Sequence, residues 1–222
     1  MNLARRAVAE GVGTAMLLAV VVGSGIMGEQ LAGGNTAIVL LANALATGGG
    51  LIALILTFGP ISGAQFNPIV TLSLAATQHF LWREVPTYVV AQVLGAILGV
   101  WAAHLMFGET VFQLSVKARP GFALAWSELI ASFGLLMVIL SGMRYRTDTI
   151  PYAVAAYILG AYWFTASTSF ANPAVTIARS LSDTFVGIRW SDAPLFIAAQ
   201  LVGALAATAL FQWLTTPSPK AP

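Results

Sequence analysis

The chain has 222 residues, of which 58% are hydrophobic and only 8% are charged, and its formal net charge is +2. A soluble domain of this length needs many more charged residues to cover its surface, and the slight net charge predicts no nucleic-acid partner. The absence of cysteine excludes disulfides, thiolate metal sites and thiol catalysis.

Several apolar runs are long enough to cross a hydrocarbon core about 30 Å thick. Six of them qualify, at residues 7–27, 36–57, 86–107, 121–143, 150–168 and 192–214. The composition therefore predicts an all-α, multi-pass membrane protein with six transmembrane helices in the bilayer. Six basic residues would share one side of the membrane: Arg5, Arg6, Arg83, Arg144, Arg146 and Lys220. This bias predicts an inner (plasma) membrane protein with both termini in the cytoplasm.

An acidic residue lies near the start of a span in each half of the chain, Glu10 in the first run and Glu128 in the fourth. An acid inside an apolar run is unfavourable unless it finds hydrogen-bond donors within the protein. We expect both carboxylates to accept backbone N–H groups from an irregular loop at membrane depth. A proton relay is the weaker alternative, because no intramembrane His or Lys is paired with either acid in the sequence.

Two short stretches place an Asn before a Pro, at Asn67-Pro68-Ile69 and at Asn172-Pro173-Ala174. Asn is a strong helix N-cap, and Pro fits the first helical position. The apolar stretches that follow, to Ala76 and to about Leu181, are too short to span the membrane, so each predicts a re-entrant half-helix. Irregular backbone at membrane depth is tolerated where it lines a watery cavity. Carbonyls before the half-helices are therefore expected to line a pore, from Ser62, Gly63, Ala64, Gln65, Ser167, Thr168 and Phe170.

A second internal match is Ala-Gln-x-x-Gly-Ala, at residues 91–96 and 199–204. Residues 1–216 thus read as one channel domain made of two repeats, 1–110 and 118–216, with a disordered tail at 217–222. A unit with three full spans must be followed by an inverted copy, whose functional site is expected near the midplane.

The two half-helices would meet there with their N-termini, each carrying roughly half a positive charge. Asn67 and Asn172 would donate to a passing oxygen, with Pro68, Ile69, Pro173 and Ala174 around them. Nothing in this arrangement needs ATP, a redox centre, a cofactor, a metal or a coupling ion. It predicts a passive channel and not an enzyme.

The doubled Asn-Pro box, the paired glutamates and the paired Ala-Gln-x-x-Gly-Ala resemble the aquaporin and glycerol-facilitator family over nearly the whole chain. The resemblance implies six spans with two half-helices, a homotetramer with one pore per subunit, and passive flow of water or small neutral solutes. Two residues depart from the family pattern. Ile69 stands where the family usually has Ala, and Val175 stands where it usually has the Arg of the outer constriction. Arg179, one turn further on, does not match the motif.

The resemblance also implies the remaining filter positions, which ungapped spacing from the two Asn residues places at Thr47, Gly160 and Ser169. With Val175, this filter would be wide, weakly polar and without fixed charge. It resembles that of aquaglyceroporin-like bacterial channels associated with arsenic resistance. The expected solutes are glycerol-like polyols, urea, metalloid hydroxides such as arsenite, and water. A mainly water-conducting pore is the alternative. A secondary transporter, which would need a coupling-ion site and two gated states, is disfavoured.

Overall fold

The computed structural model describes residues 1–216, and every regular element within them is helical. Eight α-helices follow one another: α1 (Leu3–Leu31), α2 (Thr36–Ser62), α3 (Pro68–Ala76), α4 (Val85–Phe107), α5 (Phe122–Tyr145), α6 (Ile150–Phe164), α7 (Pro173–Arg179) and α8 (Ala193–Thr215). Single 3₁₀ turns, Trp82–Glu84 and Thr147–Thr149, lead into α4 and α6. The predicted all-α class is confirmed. The predicted disorder of residues 217–222 concerns residues outside the described part of the chain.

Five helices, α1, α2, α4, α5 and α8, are long and apolar enough to cross a membrane. Their outward faces carry large apolar side chains. On α4, Leu94, Leu98 and Leu105 are 56%, 57% and 69% exposed. A soluble protein rarely exposes such continuous apolar surface, and a hydrocarbon solvent favours it.

The predicted span at residues 150–168 is shorter than expected. α6 ends at Phe164, and Thr165 is extended with ψ 136°, so the predicted end at residue 168 is wrong. The reason is local, because Ser and Thr side chains offer the backbone alternatives to helical hydrogen bonds. Thr165 Oγ1 donates to the carbonyl of Ala161 at 2.6 Å, and Thr168 turns into the left-handed region with φ 63°. α6 still packs within the bundle, against α2 and α5.

The most extensive helix contacts lie within each half of the chain, α1 with α4 and α5 with α8. Both contacts depend on the Gly of the repeated Ala-Gln-x-x-Gly-Ala motif. A Cβ at Gly95 would collide with the carbonyl of Gly11, and a Cβ at Gly203 would collide with the carbonyl of Leu129. Small residues at these positions let the backbones approach closely. Each copy of the motif therefore allows close contact between two helices.

The two half-helices lie buried inside this bundle. α3 and α7 both pack against α4 and α8, and they contact each other. Each begins at a Pro, preceded by an extended Asn cap at φ −155° for Asn67 and −161° for Asn172. α7 ends at Arg179, two residues before the expected end near Leu181, because the chain turns there through Ser180.

Candidate functional site

The two Asn side chains bind the half-helices to each other. Asn67 Oδ1 accepts from the backbone N–H of Ile69 at 3.1 Å, and Asn172 Oδ1 accepts from that of Ala174 at 3.0 Å. Asn67 Nδ2 donates to the carbonyl of Ala171, and Asn172 Nδ2 donates to that of Phe66, both at 2.8 Å. Because an amide NH₂ carries two hydrogens, each Asn keeps one donor for a third partner.

Glu10 holds the segment that precedes α3. Its carboxylate accepts from the backbone N–H groups of Gln65 at 2.9 Å and Phe66 at 2.7 Å, and from Ser62 Oγ at 2.7 Å. Glu128 holds the segment before α7 in the same way, accepting from Phe170 N and Ala171 N at 2.8 Å each. Both carboxylates are completely buried, so their charges are stabilised by fixed donors instead of water.

Two glutamines complete these networks, and sequence reasoning missed their part. Gln92 Nε2 donates to Glu10 at 2.9 Å and to Thr71 Oγ1 at 3.0 Å. Gln200 Nε2 donates to Glu128 at 2.6 Å and to Thr176 Oγ1 at 2.9 Å. The sequence did carry a signal, since both residues belong to the repeated Ala-Gln-x-x-Gly-Ala motif. Their hydrogen bonds tie α4 and α8 to the half-helices.

The backbone leading to the half-helices is strained. Ala64 and Phe66 in the first half, and Thr168, Ser169 and Ala171 in the second, have φ between 45° and 63°. Non-glycine residues in this left-handed region cost of order 1–3 kcal/mol each, and such strain persists where the surroundings over-determine it. The buried glutamates supply that constraint, because their acceptor oxygens fix the N–H groups of these segments.

A cavity of about 680 Å³ runs past both Asn side chains. At one end its wall contains Arg6, near the start of α1, and Asp148, in the turn before α6. At the other end the wall contains Arg179, the last residue of α7. Most of the expected pore residues line it: Thr47, Ser62, Gly63, Ala64, Gln65, Asn67, Ser169, Phe170, Asn172 and Val175. Pro68, Ile69, Pro173 and Ala174 are buried in the first turns of the half-helices and do not belong to the wall.

Three further expected pore residues do not line the cavity, and Gly160 is the most informative of them. It does not line the cavity, because it shares the outer face of α6 with exposed Ala156 and Trp163. The inner face of α6 presents Ile158 and Tyr162 instead, one turn apart. The structure therefore does not bring Gly160 to the cavity wall, and its placement in the filter stays a prediction. Tyr162 lies on the cavity wall, and its hydroxyl is 3.2 Å from Thr47 Oγ1.

Ser167 and Thr168 are also absent from the cavity wall. The Ser167 carbonyl is taken by Arg119, whose Nη1 donates to it at 3.2 Å, and Ser167 Oγ accepts from the N–H of Ser169 at 3.2 Å. These groups of Ser167 support the segment from behind, and pore lining by the carbonyls of Ser167 and Thr168 stays a prediction.

Basic side chains gather at the end of the cavity where α1 ends and α7 ends. Burial lowers the pKa of Lys117 to about 8, and the nearby positive charges of Arg119 and Arg179 add to the effect. Burial likewise lowers the pKa of Arg119 to about 10. Arg179 belongs to the cavity wall, although its position in the sequence had no counterpart in the family motif.

The sequence matches the family model described as Major intrinsic protein, over residues 1–166 and 144–221. The chain belongs to this family. It is 50% identical over 217 residues to a protein named Aquaglyceroporin AqpS from Rhizobium meliloti (strain 1021), covering 98% of this chain and 93% of the relative. It is 32% identical over 247 residues to Aquaporin AqpM from Methanothermobacter marburgensis, covering 97% and 99% of the two chains.

The fold is similar to the solved structure of the aquaglyceroporin from Plasmodium falciparum. The TM-score is 0.71 at 21% sequence identity, over 95% of this chain and 96% of that chain. Family membership identifies the chain as a multi-pass membrane channel for water and small solutes, and not as an enzyme. The cavity past Asn67 and Asn172 is its candidate pore.

Proposed function

We propose that the chain is a passive channel that carries small neutral solutes as well as water. Glycerol-like polyols, urea and undissociated metalloid hydroxides such as arsenous acid are the candidate solutes. The observation that carries this proposal is Val175, which contributes an apolar side chain to the cavity wall. An Arg at this position would narrow the passage. The name of the Rhizobium meliloti relative, an aquaglyceroporin, supports the same class.

The midplane supports flow of neutral hydroxylic solutes. Each Asn offers one free N–H, and the N-termini of α3 and α7 add partial positive charge that opposes cations. The carbonyls of Gly63, Ala64 and Gln65 are candidate acceptors on one side of the midplane, whereas the Ser62 carbonyl already accepts from the Tyr88 hydroxyl at 2.9 Å. On the other side, Ser169 and Phe170 belong to the cavity wall. A solute with several hydroxyls can therefore replace its hydrogen bonds to water by hydrogen bonds to the protein along the path.

A mainly water-conducting pore is the second candidate, and Tyr162 favours it. Its side chain lines the cavity beside Thr47, and a bulky ring narrows the passage for solutes larger than water. The two candidates differ in whether glycerol passes, so a direct flux comparison separates them.

The test is stopped-flow on liposomes that hold matched amounts of wild type and of Val175→Arg. We expect the wild type to pass water, glycerol and arsenous acid. The flux of each solute should rise linearly with its concentration and should not depend on ion gradients. Val175→Arg should reduce glycerol flux by at least about tenfold, equivalent to about 1.4 kcal/mol of added barrier. It should reduce water flux by a smaller factor. Val116→Arg is the control, because Val116 is 74% exposed on a loop at the same end of the pore. A wild type that passes water but excludes glycerol and arsenous acid would establish the water pore, and saturable gradient-driven flux would indicate a transporter.

We further propose a homotetramer in the inner (plasma) membrane, with one pore per subunit and both termini in the cytoplasm. The exposed apolar faces of α4 and α8 support burial in lipid or against other subunits, and the basic residues near the chain ends support the orientation. Native mass spectrometry tests the subunit number. Because the chain has no cysteine, a single Cys replacing Asn2 tests the orientation. A membrane-impermeant maleimide should label it only after the cells are opened.

A further inference from the structure

Arg179 stands at a position whose counterpart in the first half also faces the cavity. Val70 and Val175 each follow their Asn cap by three residues, and both line the wall. Leu74 and Arg179 each follow by seven, and both line it too. Residues four apart share one face of a helix, so the repeat itself aims Arg179 at the pore. The first half presents Leu at the same place.

The guanidinium of Arg179 is held firmly. Its Nε donates to the carbonyl of Val186, and its Cζ lies 3.3 Å from the ring centroid of Phe170, which also lines the cavity. The backbone N–H of Ile188 donates to the Arg179 carbonyl at 3.3 Å. The loop after α7 thus folds back and fixes the side chain against the wall.

The remaining donors of Arg179 have no protein partner among residues 1–216. The hydrogen bond from Nε is the only one that the described residues give to its guanidinium, although the residue is only 2% exposed. None of the carboxylates in the described residues forms a salt bridge with it. The oxygens of the buried Glu128 carboxylate already accept from Phe170 N, Ala171 N and Gln200.

The neighbouring basic residues, Arg119 and Lys117, donate hydrogen bonds to backbone carbonyls outside the cavity wall. Arg119 donates from Nε to the carbonyl of Gly187 and from Nη1 to that of Ser167, and it is not part of the wall. Lys117 donates to the carbonyl of Phe185. Both raise the positive potential at this end of the pore, while Arg179 alone among the three presents free N–H groups to the cavity.

We propose that Arg179 is a specificity-determining residue of this channel. It lies one helical turn beyond Val175 and supplies the charge and the fixed hydrogen-bond donors that Val175 lacks. Its terminal N–H groups donate to an oxygen of the passing solute, and its charge excludes protons and metal cations. The filter is therefore apolar at Val175 and cationic at Arg179. This assignment rests on the proposed function as a passive channel.

The test uses liposomes with wild type, Arg179→Met, Arg179→Lys and the double variant Val175→Arg/Arg179→Met. Arg189→Gln is the matched control, because Arg189 lies at the same end with its side chain 47% exposed and outside the wall. Water and glycerol flux are measured by stopped-flow. Proton and potassium leak are measured with an entrapped pH dye and under an imposed diffusion potential.

We expect Arg179→Met to raise cation leak on the order of tenfold or more, because a unit charge beside a narrow pore is weakly screened. The double variant should restore exclusion, and Arg189→Gln should match the wild type. Arg179→Lys keeps the charge but loses the planar fork, so it should stay tight to cations while its glycerol-to-urea permeability ratio shifts by at least about threefold.

If Arg179→Met shows normal water flux and no increase in cation leak, the charge of Arg179 does not exclude cations and that part of the proposal is overturned. If Arg179→Met does not fold, an unchanged solute ratio in Arg179→Lys would overturn the assignment of the donors. A wild type that passes neither water nor glycerol would instead refute the proposed function.

Discussion

Replacing Glu128 by Gln tests whether a buried carboxylate fixes the segment before α7. One oxygen of Glu128 accepts from Phe170 N at 2.8 Å, and the other accepts from Ala171 N at 2.8 Å and Gln200 Nε2 at 2.6 Å. A Gln of the same shape has a single oxygen. Its NH₂ group must therefore face at least one donor that the carboxylate satisfied.

The magnitude follows from these contacts. A hydrogen bond to a charged group contributes about 1.5–3 kcal/mol, a neutral one about 0.5–1.5 kcal/mol, and a buried donor left without a partner costs about 1–3 kcal/mol. In the best orientation, the Gln keeps the bonds of Ala171 and Gln200 in weaker neutral form and leaves the Phe170 N–H unsatisfied. The free energy of unfolding should fall by about 3–5 kcal/mol, a large fraction of the roughly 5–15 kcal/mol that stabilises a typical domain.

Thermal unfolding in detergent, followed by the fluorescence of the six tryptophans, measures the change. Glu109→Gln is the control, because Glu109 is an exposed acid on the loop after α4. We expect a clear fall in the unfolding temperature for Glu128→Gln, none for the control, and reduced glycerol flux at matched protein amounts. An unfolding temperature and flux equal to wild type would refute the reasoning.

Three further predictions address the pore lining and the outer charges. Asn172→Ala removes a helix cap worth about 1 kcal/mol and the bond to Phe66, so we expect lower stability and flux; normal values of both would contradict the assignment. The chain has no Cys, so mercurials should not block the wild type, whereas Ser169→Cys should confer thiol-reversible block if Ser169 lines the pore. NMR of ¹³C-methylated lysines should show a signal titrating near pH 8, close to the pKa of about 8 for Lys117, that Lys117→Arg removes. The folded-state pKa is lowered, so the unfolded chain binds more protons between pH 8 and 10.5, and stability should rise with pH across that interval.

Local chemistry made much of the site predictable from the sequence. An Asn followed by Pro specifies a helix start from the capping of free N–H groups alone, and α3 and α7 begin at the predicted residues. An acid in an apolar run must find donors, and Glu10 and Glu128 have them in the expected loops. Each inference needed only a short stretch and the solvent around it.

The residues that the structure does not bring to the cavity wall depend on packing that spacing does not encode. Counting back from Asn172 placed Gly160 in the filter, but the chain leaves its helix at Thr165 and passes through left-handed Thr168 and Ser169. Contacts of α6 with α2 and α5 decide which face of α6 turns inward, and that face carries Tyr162. Arg179 does not match the family motif, so the sequence assigns it no role, and the loop that fixes its side chain through Val186 and Ile188 is seen only in the structure.

The two ends of the candidate pore differ in how their cations are balanced. Arg6 lines one end and forms a salt bridge with Glu84 at 2.8 Å, whereas Arg179 lines the other without a salt bridge among the described residues. A fixed charge has no effect on the direction of neutral flow, because a passive pore carries an uncharged solute equally well either way down its gradient. The unbalanced charge acts on ions alone, and a cation arriving from either end must pass it. One uncompensated guanidinium at one mouth is therefore sufficient to oppose cations in both directions, and the first half of the repeat needs no charged counterpart at Leu74.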